Sequence, residues 1–325
     1  MTHPPTTRLR TPEEIALNAG ADWPRLRLPD PDVFAERALR LRQLAAGHAL
    51  RDYLLLLAVV AEAQHARLAT YPGVPLPTPA QADAAAHAGA PLLATTTWPR
   101  DAAWRSQLRG LLGEVLANLP ADSPARAGVQ AVQALPDADL EQQADRLLAG
   151  RTQGLDLAGA PLIAAGLQLH WTHLVRASAG ALTQPFGMPD DATRCPCCGS
   201  PPAASIVRIG GAVDGHRYLH CTLCSAQWHL VRVKCAHCLG TSGIQYQALQ
   251  AVDAKASPQR APVQAETCDT CGHYLKILHM TADPQVEPLA DDLATLTLDL
   301  LVGEAGYAPA GHNLLLLFGE EDAAP

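Results

Sequence analysis

Residues 195–240 read CPCCGSPPAASIVRIGGAVDGHRYLHCTLCSAQWHLVRVKCAHCLG, seven cysteines in 46 residues of a chain whose first 194 residues contain none. They open a series of four C-x-x-C pairs: Cys195 with Cys198, Cys221 with Cys224, Cys235 with Cys238, and Cys268 with Cys271. Two residues between the cysteines make a tight turn in which both thiolates face one ion, while N–H groups of the turn donate to the sulfurs. Gly199 and Gly272 directly follow the second cysteine of their pairs and suit the left-handed conformation that such a turn favours. A closed tetrahedral site takes four ligands, so four pairs predict two sites. Each site would hold one ion, iron or zinc, on four cysteines, and thiolates suit either metal.

The gaps between pairs are 22, 10 and 29 residues. The first long gap contains the β-type runs ASIVRIGG and HRYLHC and the second contains GIQYQALQ, able to bring one pair against the next, and a further run, YLKILHM, follows the last pair. This favours the first pair with the second and the third with the fourth, as tandem ribbons over residues 187–233 and 234–280. A crossed arrangement, first with fourth, uses the same eight ligands and stays open. Both longer gaps exceed those of an ordinary zinc ribbon; in the second, QAVDAKASPQRAP is polar and reads as a loop. Cys197 is the unpaired ninth thiol, read as a spare rather than a ligand-exchange or redox handle. His216, His220, His229, His237 and His273 crowd the same region and read as neighbours of the sites or surface groups rather than ligands.

The rest of the chain sets bounds. At 325 residues and 48% apolar composition it is long enough for two domains and a sizeable core. No apolar segment follows the arginines near the start, and the apolar run at residues 54–61 is too short to span a bilayer, which predicts a cytoplasmic protein without membrane insertion. Thiols stay reduced there, and nine cysteines are a poor disulfide framework. Residues 195–280 carry seven basic and four acidic side chains, a balance of +3 that leaves −11 for the remainder of a chain of net charge −8. So weak a positive field, with no aromatic-basic stripe, argues against nucleic acid and for protein partners.

Residues 31–186 read as a helical domain of six or seven helices behind an N-terminal arm, residues 1–30. Asp30 and Pro31 look like a helix start, with Phe34, Leu39, Leu41 and Leu44 as its stripe; Thr78-Pro79 and Ser123-Pro124 look like others. DYLLLLAVVAEAQ is apolar nearly all round, as a central bundle helix would be. His170 and His173, three apart beside Trp171, have a spacing that metal sites use, but a packed polar pair is favoured. In residues 281–325, Leu289, Leu293, Leu296 and Leu300 predict one helix over 288–306 packed on the body. The expected class is α+β: an N-terminal helical domain, two tandem zinc-ribbon β modules and a C-terminal helix.

The chain resembles the FdhE family of formate dehydrogenase accessory proteins. The resemblance rests on RLRLPDPDVFAERALRLRQLA, DYLLLLAVVAEAQ, SAQWHLVRVKCAHCLG, ETCDTCGHYLKIL and DPQVEPLADDLATLTLDLLVGEAGY. It implies a cytoplasmic assembly factor, not an enzyme, that acts on the catalytic subunit of respiratory formate dehydrogenase before Tat export. It also implies rubredoxin-like iron binding by the eight paired cysteines, whereas Cys197 falls where the family has another residue. The rival expectation is a thiol or iron-based redox enzyme working through the C-x-x-C pairs, although no acid, base or nucleophile constellation beyond the cysteines accompanies them.

Overall fold

The computed structural model describes residues 23–188, 192–250 and 261–318. Residues 1–22 of the expected arm, and residues 251–260 of the expected polar loop, lie outside the described residues. Among the described residues seven helices form the body: α1 (Val33–Ala45), α2 (Arg51–Ala69), α3 (Pro79–His87), α4 (Ala103–Asn118), α5 (Ala125–Gln133), α6 (Asp137–Leu148) and α7 (Ala160–Ala181). None of the helices among the described residues is long and apolar enough to cross a membrane.

Helix α1 begins later than expected. Pro31 and Asp32 form a turn closed by Val33 N–H donating to Asp30 O (3.2 Å), and no side chain caps the helix. Its buried face is Phe34, Ala38, Leu41 and Ala45, at steps of four, three and four, so Leu39 falls between and is 59% exposed. Helix α3 has a capping box: Thr78 Oγ1 accepts from Gln81 N–H (3.3 Å) and Gln81 Oε1 accepts from Thr78 N–H (2.9 Å). Helix α2 packs on α1, α4 and α7, which explains its apolar girth.

Helix α7 is the wall between body and sheet. Its His170 is fully buried, and Tyr71 Oη sits 2.8 Å from His170 Nδ1 while the Tyr71 ring stacks on His173 at 4.3 Å. The pair is packing, not part of any metal-ligand group among the described residues. Burial, then the neighbouring His173, pushes His170 down to about 4. An unfolded histidine titrates near 6.5, so as pH falls the unfolded chain takes up this proton first and stability drops between about 6.5 and 4. From pH 7 to pH 5 the loss is expected to be about 2 kcal/mol. Urea denaturation at the two pH values, with His170→Gln as comparison, checks it; an equal slope in the variant contradicts the assignment.

The strands are β1 (Leu26–Arg27), β2 (Pro202–Val207), β3 (Arg217–Cys221), β4 (Gln227–His229), β5 (Ile244–Gln247), β6 (Val263–Cys268), β7 (His273–His279) and β8 (Ala308–Pro309). They form one sheet in the order β1-β4-β3-β2-β7-β6-β5, with β8 also on β7. Strands β2–β4 belong to the first cysteine module and β5–β7 to the second. The modules fuse through parallel pairing of β2 with β7, Ser205 opposite Ile277 and Val207 opposite His279. Every residue of β2 and β3 is buried, as expected of strands covered on both faces.

The expected C-terminal helix is two, α8 (Pro288–Ala294) and α9 (Leu296–Glu304). Thr295 breaks it: its Oγ1 donates to Asp291 O (2.8 Å), and its backbone leaves the helical region at φ −112°, ψ 31°. Leu289 and Leu293 pack against α1 and α2, but in α9 the inward residues are Leu298 and Val302, and Leu300 is 58% exposed. Charged anchors fix this tail. Arg37, fully buried, pairs with Glu287 at 3.1 Å, Arg40 pairs with Asp291 at 2.6 Å, and buried Lys276 pairs with Asp292 and Asp299. Removing one partner of such a pair strands a buried charge, at a cost of about 3–5 kcal/mol.

Candidate metal centres

Three of the four C-x-x-C turns close on the same backbone bond. Gly199 N–H donates to Cys195 O (2.9 Å), Leu239 N–H to Cys235 O (3.1 Å), and Gly272 N–H to Cys268 O (2.8 Å). In the second turn, Leu223 and Cys224 N–H groups donate to Cys221 Sγ at 3.4 Å. The residue after the second cysteine is left-handed in all four: Gly199 (φ 76°), Ser225 (φ 59°), Leu239 (φ 58°) and Gly272 (φ 68°). Glycine marked two of these in the sequence. Ser225 and Leu239 carried no signal, because only the closed turn makes a side chain accept that strained region.

The turns bring the thiols together four by four: Cys195, Cys198, Cys221 and Cys224 in one group, Cys235, Cys238, Cys268 and Cys271 in the other, with the sulfurs of each group within 4.8 Å. Pairing is first with second and third with fourth. In the first group Cys198 Sγ lies 3.4 Å from Cys221 Sγ and 3.6 Å from Cys224 Sγ, and Cys195 lies 3.6 Å from Cys224. In the second, Cys235 lies 3.7 Å from Cys271 and Cys238 lies 3.9 Å from Cys268. A metal–sulfur bond of about 2.3 Å gives a tetrahedron with edges of about 3.8 Å. Both groups therefore fit an ion on four thiolates. Burial pushes the thiols of Cys195, Cys221 and Cys224 well above the usual thiol range. A central cation supplies the charge that lets such buried sulfurs ionise.

The two groups differ in their surroundings. All four sulfurs of the first are wholly buried and belong to the same core as Trp104, Leu167 and Trp171. Leu93 N–H donates to Cys197 O (2.9 Å), Thr95 N–H to Cys198 O (3.1 Å), and Gln168 Nε2 of α7 to Thr222 O (2.8 Å). Trp171 Nε1 holds the same loop through Leu93 O (3.1 Å). Cys197 is sealed inside this wall, with no exposure. In the second group Cys235 and Cys268 are buried, Cys271 is half-buried and Cys238 is exposed. No sequence signal separated the two, since their walls come from distant segments.

None of the five crowding histidines joins either group. His220 is buried beside Gln227, its Nδ1 3.1 Å from Gln227 Nε2; His216 and His229 pack on Trp23; His237 and His273 stack at 3.7 Å beside the second group.

Comparison with known proteins follows the same division. Family models described as FdhE, N-terminal, FdhE, central domain, and FdhE, C-terminal domain match residues 23–186, 194–232 and 233–316. A Protein FdhE homolog of Cronobacter sakazakii is 37% identical over 298 residues, 92% of this chain and 91% of that one. Protein FdhE of Escherichia coli is 36% identical over 298 residues, with the same coverage of both chains. The crystal structure of the FdhE protein from Pseudomonas aeruginosa superposes with a TM-score of 0.78 at 35% identity, covering 91% of this chain and all of that one. The family models thus divide the chain as its helical body and its two cysteine modules do, the relatives align over about nine-tenths of it, and the chain belongs to the FdhE family.

Proposed function

We propose that this protein is a cytoplasmic accessory factor for respiratory formate dehydrogenase. It binds the catalytic subunit before Tat export and catalyses no reaction of its own. Cys195, Cys198, Cys221 and Cys224 hold one ion, and Cys235, Cys238, Cys268 and Cys271 a second, each iron or zinc. The observation that carries this reading is the two four-sulfur groups in a chain of this family. When bound, each ion supplies positive charge that ties two turns of the sheet together. The residues provide a rigid scaffold: a buried group that joins sheet to body, and a group at the outer module of which only Cys238 is exposed.

The test is co-purification of the catalytic subunit with wild type, Cys197→Ser, and the paired Cys235→Ser and Cys238→Ser variant. The first two are expected to capture it equally, because Cys197 contributes a carbonyl to Leu93 and a sealed thiol. The paired variant is expected to lose it. If Cys197→Ser alone abolished formate dehydrogenase activity while the complex still formed, thiol chemistry would be the function instead.

A further inference from the structure

We propose that the client docks on the open edge of β5 and the adjoining linker, residues 231–234, and that it does so with an extended segment rich in acidic and apolar side chains. This rests on the accessory-factor reading above. Strand β5 ends the sheet, and among the described residues nothing pairs with its outer side. Asp269 N–H donates to Gly243 O (2.8 Å) next to the Ile244–Cys268 pair. That alternation turns the backbone groups of Gly243, Gln245 and Gln247 to β6 and those of Ile244 and Tyr246 outward. Open edges are ordinarily blunted by charge or proline, and IQYQ has neither.

The linker is fixed beside this edge. Tyr246 Oη lies 3.1 Å from Glu266 Oε2 and 3.4 Å from Arg232 O, and Arg217 Nη1 donates to Lys234 O (3.0 Å). Val231, Val233, Tyr246 and Leu249 are 47%, 60%, 47% and 43% exposed, so that residues 231–249 hold four of the eleven exposed large apolar side chains among the described residues. Such clustering marks a contact surface rather than scattered exposure. Arg232 and Lys234 alternate with the valines and are exposed, and among the described residues neither has an ion-pair partner. The nearby carboxylates are engaged: Glu266 is buried against Arg217 (2.8 Å), and Asp269 accepts from Gln245 Nε2 (2.9 Å). The patch is apolar and positive, with backbone donors and acceptors alongside, which suits strand addition by an acidic segment. Two copies paired edge to edge would set their cations on one surface, so a second copy is the poorer occupant.

Two full-length variants test this by capture of the catalytic subunit. Ile244→Pro removes an outward N–H and leaves the bonds to β6 intact; the paired Arg232→Glu and Lys234→Glu variant reverses the charge without touching the backbone. Each is expected to retain the wild-type metal content and to capture about ten-fold less client. If Ile244→Pro folds poorly, the charge variant decides. Undiminished capture by a folded, metal-loaded charge variant overturns the docking surface while leaving the accessory role standing. A wild type that captures no catalytic subunit overturns both. A wild-type dimer that the charge variant alters to monomer also overturns the proposal, because the occupant is then a second copy.

Discussion

Replacing Cys221 and Cys224 by serine is expected to leave no soluble folded protein, whereas replacing Cys235 and Cys238 leaves a folded chain one ion short. The difference follows from position. The first group lies in the main core, bonded to the loop at Leu93 and Thr95 and to Gln168 of α7. Serine there strands polar hydroxyls beside thiols with no exposure and removes an ion whose binding is worth about 10–16 kcal/mol in small structural sites. That matches or exceeds the whole stability of an ordinary domain, about 5–15 kcal/mol. The second group is carried by β5–β7 and two turns, with Cys238 in solvent; Ala236 of its first turn reaches the main core, but none of its four cysteines does. Soluble yield, far-ultraviolet circular dichroism and the thermal midpoint of the two variants check this. Equal effects would show that the groups are energetically alike.

Chelation should expose the same inequality without mutation. A strong chelator added to the loaded protein is expected to remove one ion quickly and the other only as the protein unfolds. Cys238 and Cys271 offer an incoming ligand a path to the second ion, whereas the first can be reached only by opening the core. Local opening spans free energies from near zero up to that of global unfolding. The two release rates should therefore differ by at least about 100-fold, roughly 3 kcal/mol of opening. Helical circular dichroism should survive the fast phase and vanish with the slow one. A single phase releasing both ions, with dichroism lost in step, would contradict the assignment.

Much of this architecture was legible because it depends on local spacing. The intervals between cysteine pairs favoured the grouping the structure shows, and Thr78-Pro79 marked a helix start, which Gln81 completes as a capping box. What escaped the sequence depends on long-range packing or one side chain's choice. The parallel pairing of β2 with β7 joins residues some 70 apart, and no local pattern announces it. The leucine spacing at 289, 293, 296 and 300 suited a single helix, but the Thr295 hydroxyl bonds back to Asp291 and Asp292 and turns the second half away. Leu39 was misplaced because the α1 stripe runs through small Ala38 and Ala45, and because Arg37 and Arg40 are drawn inward by Glu287 and Asp291. Unequal burial of the two sulfur groups was illegible for the same reason: the loop near Leu93 and helix α7 lie far away in sequence.

The central claim, a two-ion accessory factor that binds formate dehydrogenase, is tested most directly by capturing the tagged full-length protein from cells under anaerobic conditions. Partners and metals are then measured on the same sample. The expected result is co-capture of the catalytic subunit together with about two equivalents of iron plus zinc per chain, one for each tetrahedral group of four thiolates. Folded protein that repeatedly carries almost no metal and no formate dehydrogenase subunit would contradict it.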